Sequence, residues 1–289
     1  MAELSTTTKA TAIQPRIATF LASDGYRFYV RRWDTASRPH ARVVFLHGIR
    51  SHGGWYLSSC SELAGAGYDV HFLDRRGSGL NSAYRGHTPS FRRLLDDVAE
   101  YLQELRRERA WLPTVLAGIS WGGKLAAAVP YRRPGLIQGL VLITPGLVPI
   151  IQPAFSQRLR MAVAGLIQPP RRFPIPLNEP ELFTSDPAWQ DYIDKDRYGL
   201  RQATARFFLA SAMLDIYLRR ATRQIDRPVL LLLAGRDRII NNTGTREYLR
   251  RCSQANVTVC EYVEADHTLE FSQNAGDFCR DIRIWLEKL

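Results

Sequence analysis

The chain has 289 residues, 45% hydrophobic, 23% charged and 10% aromatic, which excludes a disordered, collagen-like or coiled-coil protein and fits one large α/β domain with an insertion. Lys and Arg total 39 against 28 Asp and Glu, a net charge of +11, and this raises nucleic acid or an anionic membrane as a partner. The longest apolar runs reach about a third of the roughly 20 residues a spanning helix needs, so no membrane-spanning segment is expected.

In chain order, Ile17 to Leu21 and Tyr26 to Trp33 read as strands joined by the Ser23-Asp24-Gly25 turn, a hairpin signal. Val43 to Leu46 is an apolar run of the kind buried on both faces of a parallel sheet, and it leads into His47-Gly48. Tyr68 to Leu73 is the next strand and breaks into Asp74-Arg75-Arg76-Gly77-Ser78-Gly79. Phe91, Leu94, Leu95, Val98, Tyr101, Leu102 and Leu105 share one helical face. Leu112 to Ala117 predicts a strand, Gly118-Ile119-Ser120-Trp121-Gly122-Gly123 follows it, and an alanine-rich helix comes next. Leu140 to Ile143 and Val229 to Ala234 are further buried strands. Between them, eight of the sixteen prolines fall from Pro149 to Pro187, so no long unbroken helix is expected there. Leu200 to Leu218 is helical again, with an apolar stripe too broad for one buried face. Residues 147–225 therefore read as a cap inserted into a core formed by 1–146 and 226–289. A strand from Val257 to Val263 and a C-terminal helix bearing Phe278, Ile282 and Trp285 complete the chain. The alternation predicts a mostly parallel sheet wrapped by helices, with an antiparallel start.

Gly118-Ile119-Ser120-Trp121-Gly122 fits G-x-S-x-G between a buried strand and a helix. At so sharp a turn the glycines remove clashes, and the hydroxyl is presented at the carboxyl end of the sheet. A serine hydroxyl is a weak nucleophile and needs a base; His267, after a late strand and before the last helix, is the candidate. The base needs a carboxylate to hold its tautomer. Asp237, directly after the most apolar strand, is preferred over the adjacent Asp266, consistent with the order Ser…Asp…His. Two donors are needed for a tetrahedral oxyanion: the amides of Trp121 and, in the turn after the third strand, Ile49.

The ordered set of H-G, D-R-R-G-S-G, G-x-S-x-G-G, a proline-rich insertion, G-R-D and D-H resembles the α/β-hydrolase superfamily, and within it the monoacylglycerol lipase and lysophospholipase-like esterases, from about Ile17 to Leu289. The resemblance implies an α/β-hydrolase fold with a mostly parallel eight-stranded sheet and a helical cap between its sixth and seventh strands. It implies a serine hydrolase needing no cofactor or metal, with Ser120 as nucleophile, Asp237 as acid, His267 as base, and Ile49 and Trp121 as oxyanion donors. The expected partner is a small-molecule acyl ester, with Phe155, Phe173, Phe183, Phe207, Phe208 and Met213 as candidate lining of an acyl channel. One departure is Trp121, since an S-W-G elbow is similar to that of proline iminopeptidases. An aminopeptidase would need a cap carboxylate for the substrate ammonium, from among Glu179, Glu181, Asp186, Asp191, Asp194, Asp196 and Asp215. A non-catalytic member of the fold that binds a hydrophobic ligand is the third reading.

The basic excess is nearly all arginine, in scattered doublets such as Arg31-Arg32 and Arg75-Arg76. These read as solvated surface, with peripheral contact to an anionic membrane as the next expectation and nucleic acid set aside for want of a motif. The N-terminal stretch has no apolar core or cleavage site, and the four cysteines form no CxxC pair. Reduced thiols and a cytoplasmic location are expected.

Overall fold

The computed structural model describes residues 13–35, 38–220, 225–252, 256–273 and 275–289. The chain opens with the hairpin β1 (Arg16–Leu21) and β2 (Arg27–Trp33), then β3 (Arg42–Leu46), α1 (Leu57–Gly65), β4 (Asp69–Leu73), α2 (Phe91–Glu108), β5 (Thr114–Ile119), α3 (Trp121–Arg132) and β6 (Gly139–Ile143). It then leaves the sheet for α4 (Phe155–Ile167), β7 (Arg172–Pro174), α5 (Pro187–Lys195), β8 (Gln202–Thr204) and α6 (Ala205–Arg220). It returns as β9 (Val229–Ala234), α7 (Asn242–Cys252), β10 (Val257–Tyr262) and α8 (Ala275–Leu286).

Eight strands form one sheet in the order β1-β2-β4-β3-β5-β6-β9-β10. β2 pairs antiparallel with β1 and β4, and every pairing from β4 through β10 is parallel. This is the mostly parallel, eight-stranded sheet with helices that the resemblance implies, and α4 to α6 are inserted between β6 and β9. Its central strands β3, β5, β6 and β9 are buried at every residue, as helices on both faces require of near-continuous apolar runs. The edge strand β10 instead has only half-buried and exposed positions.

α2 forms where its periodicity predicts. Ser90 caps it by accepting from Arg93 N, Arg106 and Arg107 sit in its last turn, and Leu94, Leu95, Val98, Leu102 and Leu105 are buried. The expectation of no long helix in the proline-rich span is corrected. α4 occupies the proline-free interval between Pro153 and Pro169 for 13 residues, so these prolines bound a helix rather than interrupt one. Likewise Pro187 opens α5, behind Asp186, whose carboxylate accepts from Ala188 N at 2.8 Å. The short antiparallel pair of β7 and β8 has no counterpart in the expectations.

The insertion is tied to the loop after β3. Arg50 Nη1 donates to the carbonyls of Leu177 and Asn178 at 2.8 and 2.7 Å, and Leu200 N donates to Arg50 O at 2.9 Å. Asp196 accepts from Trp55 Nε1 at 2.7 Å and from His52 Nε2 at 3.1 Å. Although burial opposes it, these bonds hold the Asp196 carboxyl down at about 2. No helix among the described residues is long and apolar enough to cross a membrane.

Phe72 on β4 is fully buried, its ring 5.6 Å from that of Phe45 and 5.3 Å from that of Tyr56. Removing the ring leaves a cavity the sheet cannot close, so Phe72→Ala is expected to cost about 3–5 kcal/mol, read as a lowered urea midpoint.

Candidate active site

β5 leads directly into Ser120, whose backbone takes φ +50° and ψ −122°, a region that residues with a side chain seldom enter. The turn closes because its neighbours carry no side chain. A Cβ on Gly122 would lie 2.5 Å from Leu46 O and 2.6 Å from His47 O, and one on Gly118 would lie 2.6 Å from Ala126 Cβ. Hydrogen bonds then hold the turn in place. Ser120 N donates to Ile143 O at 2.9 Å, and Ser120 O accepts from Gly123 N and Gly146 N at 2.9 and 2.7 Å.

The structure brings Ser120, His267 and Asp237 together at the carboxyl ends of β5, β9 and β10. Ser120 Oγ is 2.9 Å from His267 Nε2, and His267 Nδ1 is 2.8 Å from Asp237 Oδ2. The other Asp237 oxygen accepts from Ile239 N and Ile240 N at 2.8 and 2.9 Å, which turns Oδ2 to the imidazole. With Nδ1–H donated to that carboxylate, Nε2 faces the hydroxyl as an acceptor, an arrangement able to take the serine proton during attack on a carbonyl. Thr144 Oγ1 donates to His267 O at 3.1 Å, and the Phe183 ring meets the imidazole edge-on with centroids 6.0 Å apart. Asp266 is turned elsewhere and accepts from Ser185 N at 2.6 Å.

Ile49 and Trp121 line, together with Ser120, a cavity of about 380 Å³. Trp121 is the first residue of α3, so its N–H has no partner in the helix; no partner for the Ile49 N–H is found among the described residues. Gly48 permits the close approach of this loop, since a Cβ there would lie 3.3 Å from Ser120 Cβ. His47 is locked beneath it. Its Nε2 accepts from Arg75 N at 2.9 Å, which leaves the proton on Nδ1 to donate to Gly48 O at 2.7 Å. Burial, joined by the Arg75 charge, pushes the His47 pKa down to about 3, so the ring stays neutral.

The cavity walls are mostly apolar, with Met161, Leu177, Leu209, Ile239 and Ile240 among them, and also carry Lys124, Arg158, Asp215 and Arg219. Of the residues nominated for an acyl channel, Phe208 alone lines it. Phe155 is 74% exposed and Met213 is exposed. Phe173 packs with Met161 and Ala164, Phe183 lies against Trp55, and Phe207 lies 5.2 Å from the Trp121 ring. The broad stripe of α6 is thus divided between the cavity and the elbow. Of the nominated carboxylates, Asp215 alone reaches the cavity, and Lys124 Nζ binds it at 2.7 Å. A larger cavity of about 710 Å³, lined by Thr184, Asp266 and Phe278, includes neither Ser120 nor His267. Among the described residues no cluster of His, Cys, Asp or Glu could hold a metal ion.

Sequence reasoning missed several residues around the site. Trp121 Nε1 donates to Ser211 Oγ on α6 at 2.9 Å. Arg75 is buried, with Nη1 and Nη2 donating to Gly48 O and Ile49 O at 2.7 and 2.6 Å. The reading of the arginine doublets as solvated surface is corrected at Arg31, Arg75 and Arg76, each 9% exposed or less. The only signal in the sequence was position, since Arg75 and Arg76 lie in the loop at the end of a buried strand.

The sequence profile of the family described as serine aminopeptidase, S33 matches residues 37–274. The chain is 25% identical over 277 residues to human monoglyceride lipase, covering 92% of this chain and 88% of that one. It is 26% identical to the phospholipase YtpA of Bacillus subtilis, covering 88% and 97% of the two chains. The crystal structure of the monoacylglycerol lipase of Paleococcus ferrophilus superposes with a TM-score of 0.79 at 26% identity, over 90% of this chain and 98% of that one.

The neutral His47 makes stability depend on pH. Between its ordinary value of 6.5 and about 3, the unfolded chain binds a proton there that the folded chain excludes. This contribution is fully present above pH 6.5 and is lost as the pH falls through the window, by up to about 1.4 kcal/mol per pH unit. Urea midpoints at pH 7 and pH 4.5 should therefore lie closer together in His47→Gln than in the parent. An equal spacing in both would count against a neutral His47.

Proposed function

The chain belongs to the serine aminopeptidase S33 family, and on that premise we propose that it is a carboxylic ester hydrolase acting through an acyl-enzyme on Ser120. The observation that carries the reading is the hydrogen-bonded Ser120–His267–Asp237 set, with Ser120 on a mostly apolar cavity. Ser120 Oγ attacks the acyl carbonyl as its proton passes to His267 Nε2, and Asp237 stabilises the imidazolium. The carbonyl oxygen becomes an oxyanion facing the amides of Ile49 and Trp121. On collapse the C–O bond to the alcohol breaks, and His267 returns the proton to the departing oxygen. Water then attacks the acyl-enzyme, giving its proton to His267, and the second collapse frees the acid and restores the serine.

For the substrate, we propose a monoacylglycerol-like or lysophospholipid-like ester. A lipase and a phospholipase among the relatives support ester chemistry, and the apolar walls suit an acyl chain. The family's description as aminopeptidases and Trp121 favour amide cleavage as a second reading. That reading needs a free carboxylate for an ammonium, whereas Asp215 is already paired with Lys124 and Asp196 with His52 and Trp55. In the same proposal residues 147–225 act as the cap. The exposed apolar residues Phe155, Leu159, Val163, Leu166 and Ile167 of α4 support peripheral contact with an anionic membrane, with Arg158 and Arg160 on the same helix.

Ser120→Ala should lower kcat by about 10⁴–10⁶-fold in a folded protein, and a fluorophosphonate should label the parent but not the variant. A rate within tenfold of the parent would refute Ser120 as the nucleophile. On a series of p-nitrophenyl esters, kcat/KM should climb with acyl length until the cavity is full. The increment is about fourfold per methylene, corresponding to roughly 0.8 kcal/mol. Amino-acid p-nitroanilides should stay uncleaved; faster cleavage of alanine or proline anilides than of any ester would establish the aminopeptidase reading instead.

A further inference from the structure

Arg75 is 6% exposed, and no carboxylate lies within ion-pair distance of it among the described residues. Neighbouring acids are committed elsewhere. Asp74 binds Arg31 at 2.8 Å, and Asp97 binds Arg76 at 2.7 Å and Arg93 at 2.8 Å. A buried guanidinium without a paired carboxylate is costly, and here backbone carbonyls and aromatic rings surround it. Nη1 donates to Gly48 O at 2.7 Å and Nη2 to Ile49 O at 2.6 Å. The guanidinium carbon lies 5.0 Å from the Trp121 ring centroid and 5.3 Å from that of Phe207. One side chain therefore grips the loop carrying one proposed oxyanion donor and stacks on the residue carrying the other.

The peptide group is planar and trans, so its C=O and N–H point in opposite directions. The plane joining Gly48 to Ile49 has its carbonyl held from one side by Arg75 Nη1 and by His47 Nδ1, and its N–H, that of Ile49, is thereby aimed the other way. A charge-assisted donor on the carbonyl also draws density from the amide and strengthens it as a donor. We infer that Arg75 is a positioning residue that sets the Ile49 N–H for the transition-state oxyanion, and thus acts on the rate of chemistry rather than on substrate binding. This rests on the reading of Ser120 as nucleophile and of Ile49 and Trp121 as oxyanion donors. Arg75 itself need not touch the substrate.

The test compares the parent, Arg75→Ala and Arg75→Lys on a p-nitrophenyl ester. Inhibition by a trifluoromethyl ketone, which forms an oxyanion on the serine, is measured alongside. Deleting an oxyanion donor outright costs about 10²–10³-fold in kcat, so loosening one should cost Arg75→Ala about 10–10²-fold, with KM within about threefold. Ketone affinity should weaken in step with kcat/KM. Added methylguanidinium should restore part of the rate in Arg75→Ala and nothing in the parent, a response that a merely structural role would not produce. Arg75→Lys keeps a cation but lacks the fork that holds two carbonyls at once, so it should fall at least fivefold in kcat. It decides the matter where the alanine variant fails to fold. A kcat within twofold of the parent in either folded variant, or a loss confined to KM, overturns the inference. Fluorophosphonate labelling separates the two levels. A labelled Ser120 with unaffected Arg75 variants removes only the positioning role, whereas an unlabelled, ester-inert parent removes the reading beneath it as well.

Discussion

The site depends on one backbone conformation, the positive φ of Ser120. Holding a residue there costs of order 1–3 kcal/mol, and the surroundings leave it no other choice. Glycines stand where a Cβ would strike Leu46 and His47, Ala126 or Pro145, and both polar groups of the Ser120 backbone are bonded within the sheet and the turn. Because α3 starts on the following residue, the same turn frees the Trp121 amide and puts a helix N-terminus behind the hydroxyl. The strain is therefore inseparable from the presentation of the side chain.

Arginine supplies much of the remaining order. Arg31 and Arg76 answer buried carboxylates, Arg50 ties the insertion to the loop after β3, and Arg75 holds that loop against the elbow. Burial pushes the Arg75 pKa down to about 9, which leaves it cationic at neutral pH. The insertion divides in character. Its stretch from Leu177 to Leu200 is bonded to the loop beside the site, while α4 keeps large apolar side chains in the open.

The sheet was legible because its central strands are buried on both faces and so appear as uninterrupted apolar runs. Observed ends differ from the expected ones by a residue or two, as at Leu112 and Thr114, where Pro113 delays pairing. The elbow glycines and the residues after β9 and β10 were readable because each strand ends in its own punctuation. Which nominated residues meet across the sheet is a matter of topology, and chain order stood in for it. The insertion was harder to read. Counting prolines hid α4 because spacing, not number, decides whether a helix fits. Choosing aromatics by type missed that α6 turns Phe207 to Trp121 and Phe208 to the cavity. The burial of Arg75 could not be seen at all, since its carbonyl partners lie 27 and 26 residues away and backbone acceptors leave no trace in composition.

Ser120 and His267 are separated by 147 residues and His267 and Asp237 by 30. The loop that meets them comes from near the start of the chain, and the walls come from its middle. No local segment can preassemble such a cleft, because each part is delivered by a different strand and the parallel strands pair only through long crossovers. Contacts of this range form late, after much loop-closure entropy has been spent. A growing chain therefore cannot set His267 between Ser120 and Asp237 until β9 and β10 have docked.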